Sequence, residues 1–248
     1  MAPSNFMNAF NDMKRTLVAG LFFTACAMLA SGAGFFGSDI KPDNIFTAGP
    51  VLPATMKRVL VLPLAHDESR RDLTSGCEMF DAVLQSELTK TKKFEVVSIG
   101  TKELSYLTGQ TSWTGTEELP ANFFDSLRLA HGCDAVLFCQ LTTFQAYAPL
   151  AAGWRMKLVD VSTQKIIWAA DMVFDASDSA VKKDAQEFQR EQEGTGTKET
   201  SRKFLQTLSS WIYHEPPPAT EDQWTILNSP RYFGQYSLVK LLKTLPER

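Results

Sequence analysis

A chain of 248 residues that is 44% hydrophobic has ample apolar material for one α/β domain with additions. Its formal charge of -3 disperses 25 basic among 28 acidic residues, which excludes the clustered Lys and Arg on which nucleic-acid affinity rests; no nucleic-acid partner is expected. The four cysteines, Cys26, Cys77, Cys133 and Cys139, have no C-x-x-C spacing, which excludes the common zinc and dithiol motifs.

Lys14 and Arg15 precede an uncharged run from Thr16 to Ser38, so residues 1–38 read as a signal peptide or membrane anchor outside the fold. Three fates compete for it. Cleavage after Ala33 satisfies the small-residue rule, with Ser31 and Ala33 at the two critical positions. Lipidation at Cys26 is the second, because Phe23-Thr24-Ala25-Cys26 resembles a bacterial lipobox. Retention as a helix is the third, since about twenty apolar residues span a bilayer.

Residues 39–57 carry Pro42, Gly49, Pro50 and Pro53 without an apolar period and read as a linker. The apolar run from Lys57 to Leu64 has the length of a strand covered on both faces. After the polar loop His66 to Arg71, Ser75-Gly76-Cys77-Glu78 has capping-box spacing and predicts a helix from there to about Lys90. Met79, Phe80, Val83, Leu84 and Leu88 form its buried stripe. Phe94 to Ser98 is a second strand, parallel to the first because a helix crosses between them.

Thr101 to Glu118 reads as a short helix and a loop. Pro120 suits a first helical position, Phe123, Phe124, Leu127 and Ala130 give the stripe that follows, and Gly132 caps its end. Three consecutive strands come next: Ala135 to Tyr147, Trp154 to Val161 and Ile166 to Phe174, joined by turns at Pro149–Gly153 and Ser162–Lys165. The expected fold is therefore α/β, a mixed sheet of about five strands in the order β-α-β-α-β-β-β with helices packed on it. Residues 58–176 form that domain, and residues 177–248 a helical C-terminal extension packing on it. Within the extension, Lys182 to Thr200 reads as a solvent-exposed helix followed by a break at Gly194-Thr195-Gly196-Thr197. Phe204, Leu205, Leu208, Trp211 and Ile212 restore a stripe, Pro216 to Pro218 stop it, and Ser229-Pro230 starts a final helix.

The search for chemistry returns little. His66, His131 and His214 are too far apart in sequence for a metal-binding pair, and neither a metal nor a cofactor is expected. His66-Asp67-Glu68 sits where α/β proteins often bind ligands, at the end of the first strand. A polar strand-to-helix loop has the same appearance without catalysis, so a hydrolase using His66 is kept only as an alternative. There is no G-x-S-x-G elbow, no P-loop and no strand-following G-x-G-x-x-G. Asp134 and Asp160 border strands, where Asp is common for backbone reasons, and pairing them or Asp171 as acid and base has no support. No catalytic residue is assigned. Cys77 and Cys139 fall toward one end of the sheet and Cys133 toward the other; a Cys77–Cys139 disulfide and free buried thiols both stay open.

Arg58-Val59-Leu60-Val61-Leu62-Pro63, Phe94-Glu95-Val96-Val97, Gly132-Cys133-Asp134-Ala135-Val136-Leu137 and above all Leu158 to Trp168 resemble one family. It includes the curli-secretion lipoprotein CsgG, the amino-terminal domain of TolB and the LpoB-type activators of penicillin-binding proteins. The resemblance covers about residues 57 to 176, with Gln164 where the family usually has Gly. It implies a periplasmic protein, outer-membrane-anchored where Cys26 is lipidated, that binds an envelope protein partner without catalysis. A curli-type channel needs membrane hairpins of about nine to eleven residues per strand, and the short turn before Trp154 leaves no room for that insert. A subunit of a secretion or flagellar-type ring, a homo-oligomer, is the alternative within the same class.

Overall fold

The computed structural model describes residues 40, 43–194 and 225–248, all within the unit Ser38–Arg248. In chain order the elements are β1 (Ile45–Thr47), β2 (Arg58–Val61), α1 (Arg71–Thr91), β3 (Glu95–Ser98), α2 (Thr101–Thr108) and α3 (Phe123–His131). Then come β4 (Ala135–Gln145), β5 (Ala151–Asp160), β6 (Ile166–Asp175), α4 (Ser179–Gly194), a 3-10 turn (Ile226–Asn228) and α5 (Pro230–Leu242).

The six strands make one mixed sheet in the order β1-β6-β5-β4-β2-β3. β2 pairs in parallel with β3 and β4, as the helical crossovers require, while β4, β5 and β6 form an antiparallel meander. A bulge between Leu141 and Thr143 interrupts the β4 ladder, and it lets Leu141 and Phe144, three residues apart, both face the larger core. The α/β fold with its mixed sheet is as the sequence predicts; the additional strand is β1.

β1 arises inside the stretch read as a linker. Its register, Ile45 opposite Ala170 and Thr47 opposite Trp168, closes the outer edge of β6, and Leu52 and Met56 downstream are buried. Pro50 and Pro53 punctuate this segment without keeping it off the core. Its end is tied down as well, since the Leu52 amide donates to the Glu247 carbonyl at 2.7 Å and Lys93 Nζ donates to the Leu245 carbonyl at 2.6 Å.

Two hydrophobic clusters cover the sheet. On one face α1, α4 and α5 pack against Leu141, Trp154, Leu158 and Trp168, with Phe80 edge-on to both Phe144 and Trp154. Each indole donates to α5 or just beyond it: Trp154 Nε1 to Ser237 Oγ at 2.8 Å, Trp168 Nε1 to Thr244 Oγ1 at 3.1 Å. Burial of each such large side chain contributes about 1.5–3 kcal/mol, so the terminal helix is held by the sheet rather than by its own propensity. On the other face Leu104, Trp113, Phe123 and Leu127 cover Leu60, Leu62, Val136 and Phe138.

Local differences from the sequence reading have physical causes. α1 begins at Arg71, a turn before the capping-box serine, because Asp67 Oδ1 closes a turn on the Ser69 amide at 3.0 Å and Arg70 takes the cap position. Gly76 then lies inside the helix, where a Cβ would meet Leu141 Cδ2 at 2.6 Å; the glycine serves helix-to-sheet contact and marks no boundary. α3 starts at Phe123, three residues after Pro120, and ends as expected at Gly132 in the left-handed region, φ 61°. α4, expected to be solvated, buries Val181, Asp184, Ala185 and Phe188.

Candidate functional site

Among the described residues, the second face of the sheet is covered over β2, β3 and the start of β4. On β5, Trp154, Met156 and Leu158 face the larger core, so the strand period sends Gly153, Arg155 and Lys157 to the other side. Pairing continues that alternation across the sheet. Phe46, Ala169, Lys157 and Phe138 form one row, and Asp171, Arg155 and Gln140 a second beside Asn44. The Lys157 ammonium donates to the Gly115 carbonyl, where the loop before α3 reaches its limit. Beyond Lys157 the described residues place no helix on this face.

The surface left open is mixed in character. Phe46 is 52% exposed and Val173 49%, and a shallow groove of about 190 Å³ runs between Asn44, Phe46, Phe138, Arg155, Lys157 and Asp171. Arg155 Nε donates to Asp171 Oδ2 at 2.7 Å across the ladder, fixing one positive and one negative group in the middle. Gln140 Oε1 and Thr142 Oγ1 are shielded from solvent and have no hydrogen-bond partner among the described residues. Gly153 is needed here, since a Cβ would stand 2.6 Å from Thr142 Oγ1. An aromatic, an aliphatic and an ion pair on a sheet suit recognition of a protein surface.

A wider cleft of about 520 Å³ lies at the carboxyl ends of β2 and β3, where the following helices leave for opposite faces. Pro63, Cys77, Asp81, Gln85, Ser98 and Thr101 line it. Ser98 Oγ and Gln85 Oε1 bond each other at 3.0 Å. Burial, then the Asp81 charge, pushes the Cys77 thiol up to about 12, leaving almost no thiolate at neutral pH to act as a nucleophile.

The residues singled out from sequence do not assemble. His66 Nε2 lies 3.0 Å from Thr74 Oγ1, and Asp67 turns to Ser69, whose hydroxyl and amide bonds hold its carboxyl below the ordinary value. Asp134 accepts the Lys57 and Arg58 amides at 2.8 and 2.9 Å, and Asp160 accepts from Ser162 and Thr163, both backbone-fixing roles. Cys77 and Cys139 line the same core as free thiols, and Cys133 lies in the opposite cluster. Cys26, Ala33 and His214 lie outside the described residues. Among the described residues no group of three or more His, Cys, Asp and Glu is placed to hold a metal ion, and no helix is long and apolar enough to cross a membrane. The open face was missed because half of it depends on β1, although the alternation of Arg155 and Lys157 with apolar neighbours was readable.

Fold and surface together define a mixed α/β module whose described residues cover half of one sheet face. No family model matches the chain, and no curated protein matches it significantly. Among solved structures it is similar to the PelC dodecamer from Paraburkholderia phytofirmans, with 13% identity over 82% of this chain and 96% of that one, TM-score 0.43. It is also similar to lipoprotein GNA1162 from Neisseria meningitidis, with 20% identity over 49% and 84% of the two chains, TM-score 0.33. The LpoB C-terminal domain from Escherichia coli is a third, with 19% identity over 47% and 81%, TM-score 0.32. Likenesses of this size extend neither activity nor partner to the present chain.

Proposed function

We propose that the chain is an exported, membrane-associated protein that acts as a non-enzymatic protein-binding module in a bacterial envelope assembly. It works in the periplasm, and lipidation of Cys26 would hold it at the outer membrane. The observation that carries the reading is the open half-face of β4, β5, β6 and β1, with Phe46, Val173 and the Arg155–Asp171 pair presented on a rigid support. The resemblance of Leu158 to Trp168 to the CsgG, TolB and LpoB family supports the same class.

A photo-crosslinking side chain placed at Phe46 in cells tests it. The expected result is a discrete adduct with another envelope protein, lost when Arg155→Glu is added, while the same probe at the exposed Leu129 on α3 gives none. An adduct of the chain with itself assigns the face to a ring or other homo-oligomer. No adduct at Phe46 with full labelling overturns the reading.

A further inference from the structure

The β4–β5 hairpin carries a second surface with a different chemistry. From Ala135 to Trp154 the sequence contains no Asp, Glu, Lys or Arg, and neither does Met172 to Phe174 on the neighbouring strand. The buried half of this run belongs to the core. Its exposed half does not: Tyr147 at the tip is 84% exposed, with Ala148 and Pro149 beside it and Val173 close by on β6. The adjoining charges, Asp175 and Asp178, accept the Ser177 and Ala180 amides at 2.7 and 2.8 Å.

The path of the chain says which end of the sheet this is. β1 runs antiparallel to β6, and the Asp171 amide donates to the Asn44 carbonyl at 3.0 Å. Going backward from Ile45, the chain therefore heads along β6 toward Val173 and the hairpin tip. Only the six residues Asp39–Asn44 separate β1 from the uncharged run Thr16–Ser38, a reach of at most about 22 Å. A membrane that holds that run is therefore within this reach of Ile45.

We propose that the tip of the β4–β5 hairpin is a lipid-contact surface, seated at the bilayer interface with Tyr147 among the headgroups. Tyrosine suits that depth because its ring is apolar and its hydroxyl polar. With no cation on the tip and the carboxylates of Asp175 and Asp178 beside it, the contact rests on apolar burial and gains nothing from anionic lipid. The inference rests on the form of the proposed function in which the N-terminal run is retained in the membrane.

The test uses the full chain with Tyr147→Trp, reconstituted in phosphatidylcholine vesicles whose acyl chains carry bromine; Leu129→Trp is the control. Leu129 is 91% exposed on α3, which leads into the start of β4 and so lies at the far end of the sheet. The expected result is that the emission added by Tyr147→Trp is strongly quenched by brominated lipid at low and high salt alike, while that added by Leu129→Trp is not. Membrane-bound Tyr147→Trp protein whose added emission is unquenched overturns this inference alone, including when the introduced indole is shielded from aqueous acrylamide by a protein contact. A chain that stays in the aqueous phase overturns the anchoring as well.

Discussion

The Lys240 ammonium on α5 lies 2.8 Å from the Asp184 carboxylate on α4, with both side chains withdrawn from solvent and the Tyr236 hydroxyl donating to the second carboxylate oxygen at 2.7 Å. This cluster explains why a helix as charged as α4 packs down instead of remaining solvated: Asp184 is 2% exposed and is matched by a cation. Removing one member leaves the other charge buried. Lys240→Ala and Asp184→Ala should each lower stability by about 3–5 kcal/mol, and Tyr236→Phe by about 1–2 kcal/mol. Urea unfolding of the three variants checks the order, and equal small losses would show that α4 is not held this way.

Gly234 on α5 lies against the Phe80 ring on α1. A Cβ at position 234 would stand 2.0 Å from Phe80 Cε1, and Phe80 is itself wedged between Phe144 and Trp154. The ring has no free direction to yield. Gly234→Ala should therefore destabilise by about 1–3 kcal/mol or more, despite the better helix propensity of Ala. Pairing it with Phe80→Leu, which vacates the space, should recover part of the loss in thermal melts.

The strand and helix order from Lys57 to Phe174 was legible because local period and tertiary burial agree there. Where the sequence reading stopped short, long-range contacts decide. β1 is a strand only because β6 offers an edge to it, and nothing in Ile45-Phe46-Thr47 announces a partner about 120 residues away. The capping-box spacing at Ser75 placed the start of α1 a turn late, and the reason for Gly76, the approach of Leu141, is absent from the local sequence. Asp184 looked like one more surface carboxylate for the same cause. The open face inherits this limit, since Arg155 and Asp171 become one feature only through the β5–β6 register.

The three described cysteines should be chemically silent in the folded protein. Burial pushes the Cys77 thiol up to about 12, raises Cys139 further and raises Cys133 as well. At pH 8 a thiol titrating near 12 is roughly 10⁻⁴ ionised, and the thiolate is the reactive form. In a Cys26→Ser background, Ellman's reagent at that pH should release no colour from the native chain and three equivalents after unfolding in guanidinium. Rapid reaction of one thiol in the native state would show that its core opens.

Asp160 closes the turn between β5 and β6. Its carboxylate accepts from Ser162 Oγ at 2.6 Å, the Thr163 amide at 2.8 Å and Thr163 Oγ1 at 3.0 Å. Partial burial raises its pKa, the hydrogen bonds lower it by more, and the net position is below the ordinary 3.8. A folded-state pKa below the unfolded one means that the folded form favours the ionised group. The contribution is complete above the unfolded value and disappears as the pH falls through the folded one. Asp67 and Asp175 shift in the same direction through bonds from Ser69 and Ser177, so the whole protein should lose stability in that range. Asp160→Asn isolates one site, because the amide keeps an acceptor for the turn and cannot ionise. The variant should be less stable than the parent at neutral pH, and the gap should close as the pH falls below the ordinary carboxylate value of 3.8. Urea midpoints of both proteins across that series measure the gap, and a difference independent of pH would remove the carboxylate charge from the account of the turn.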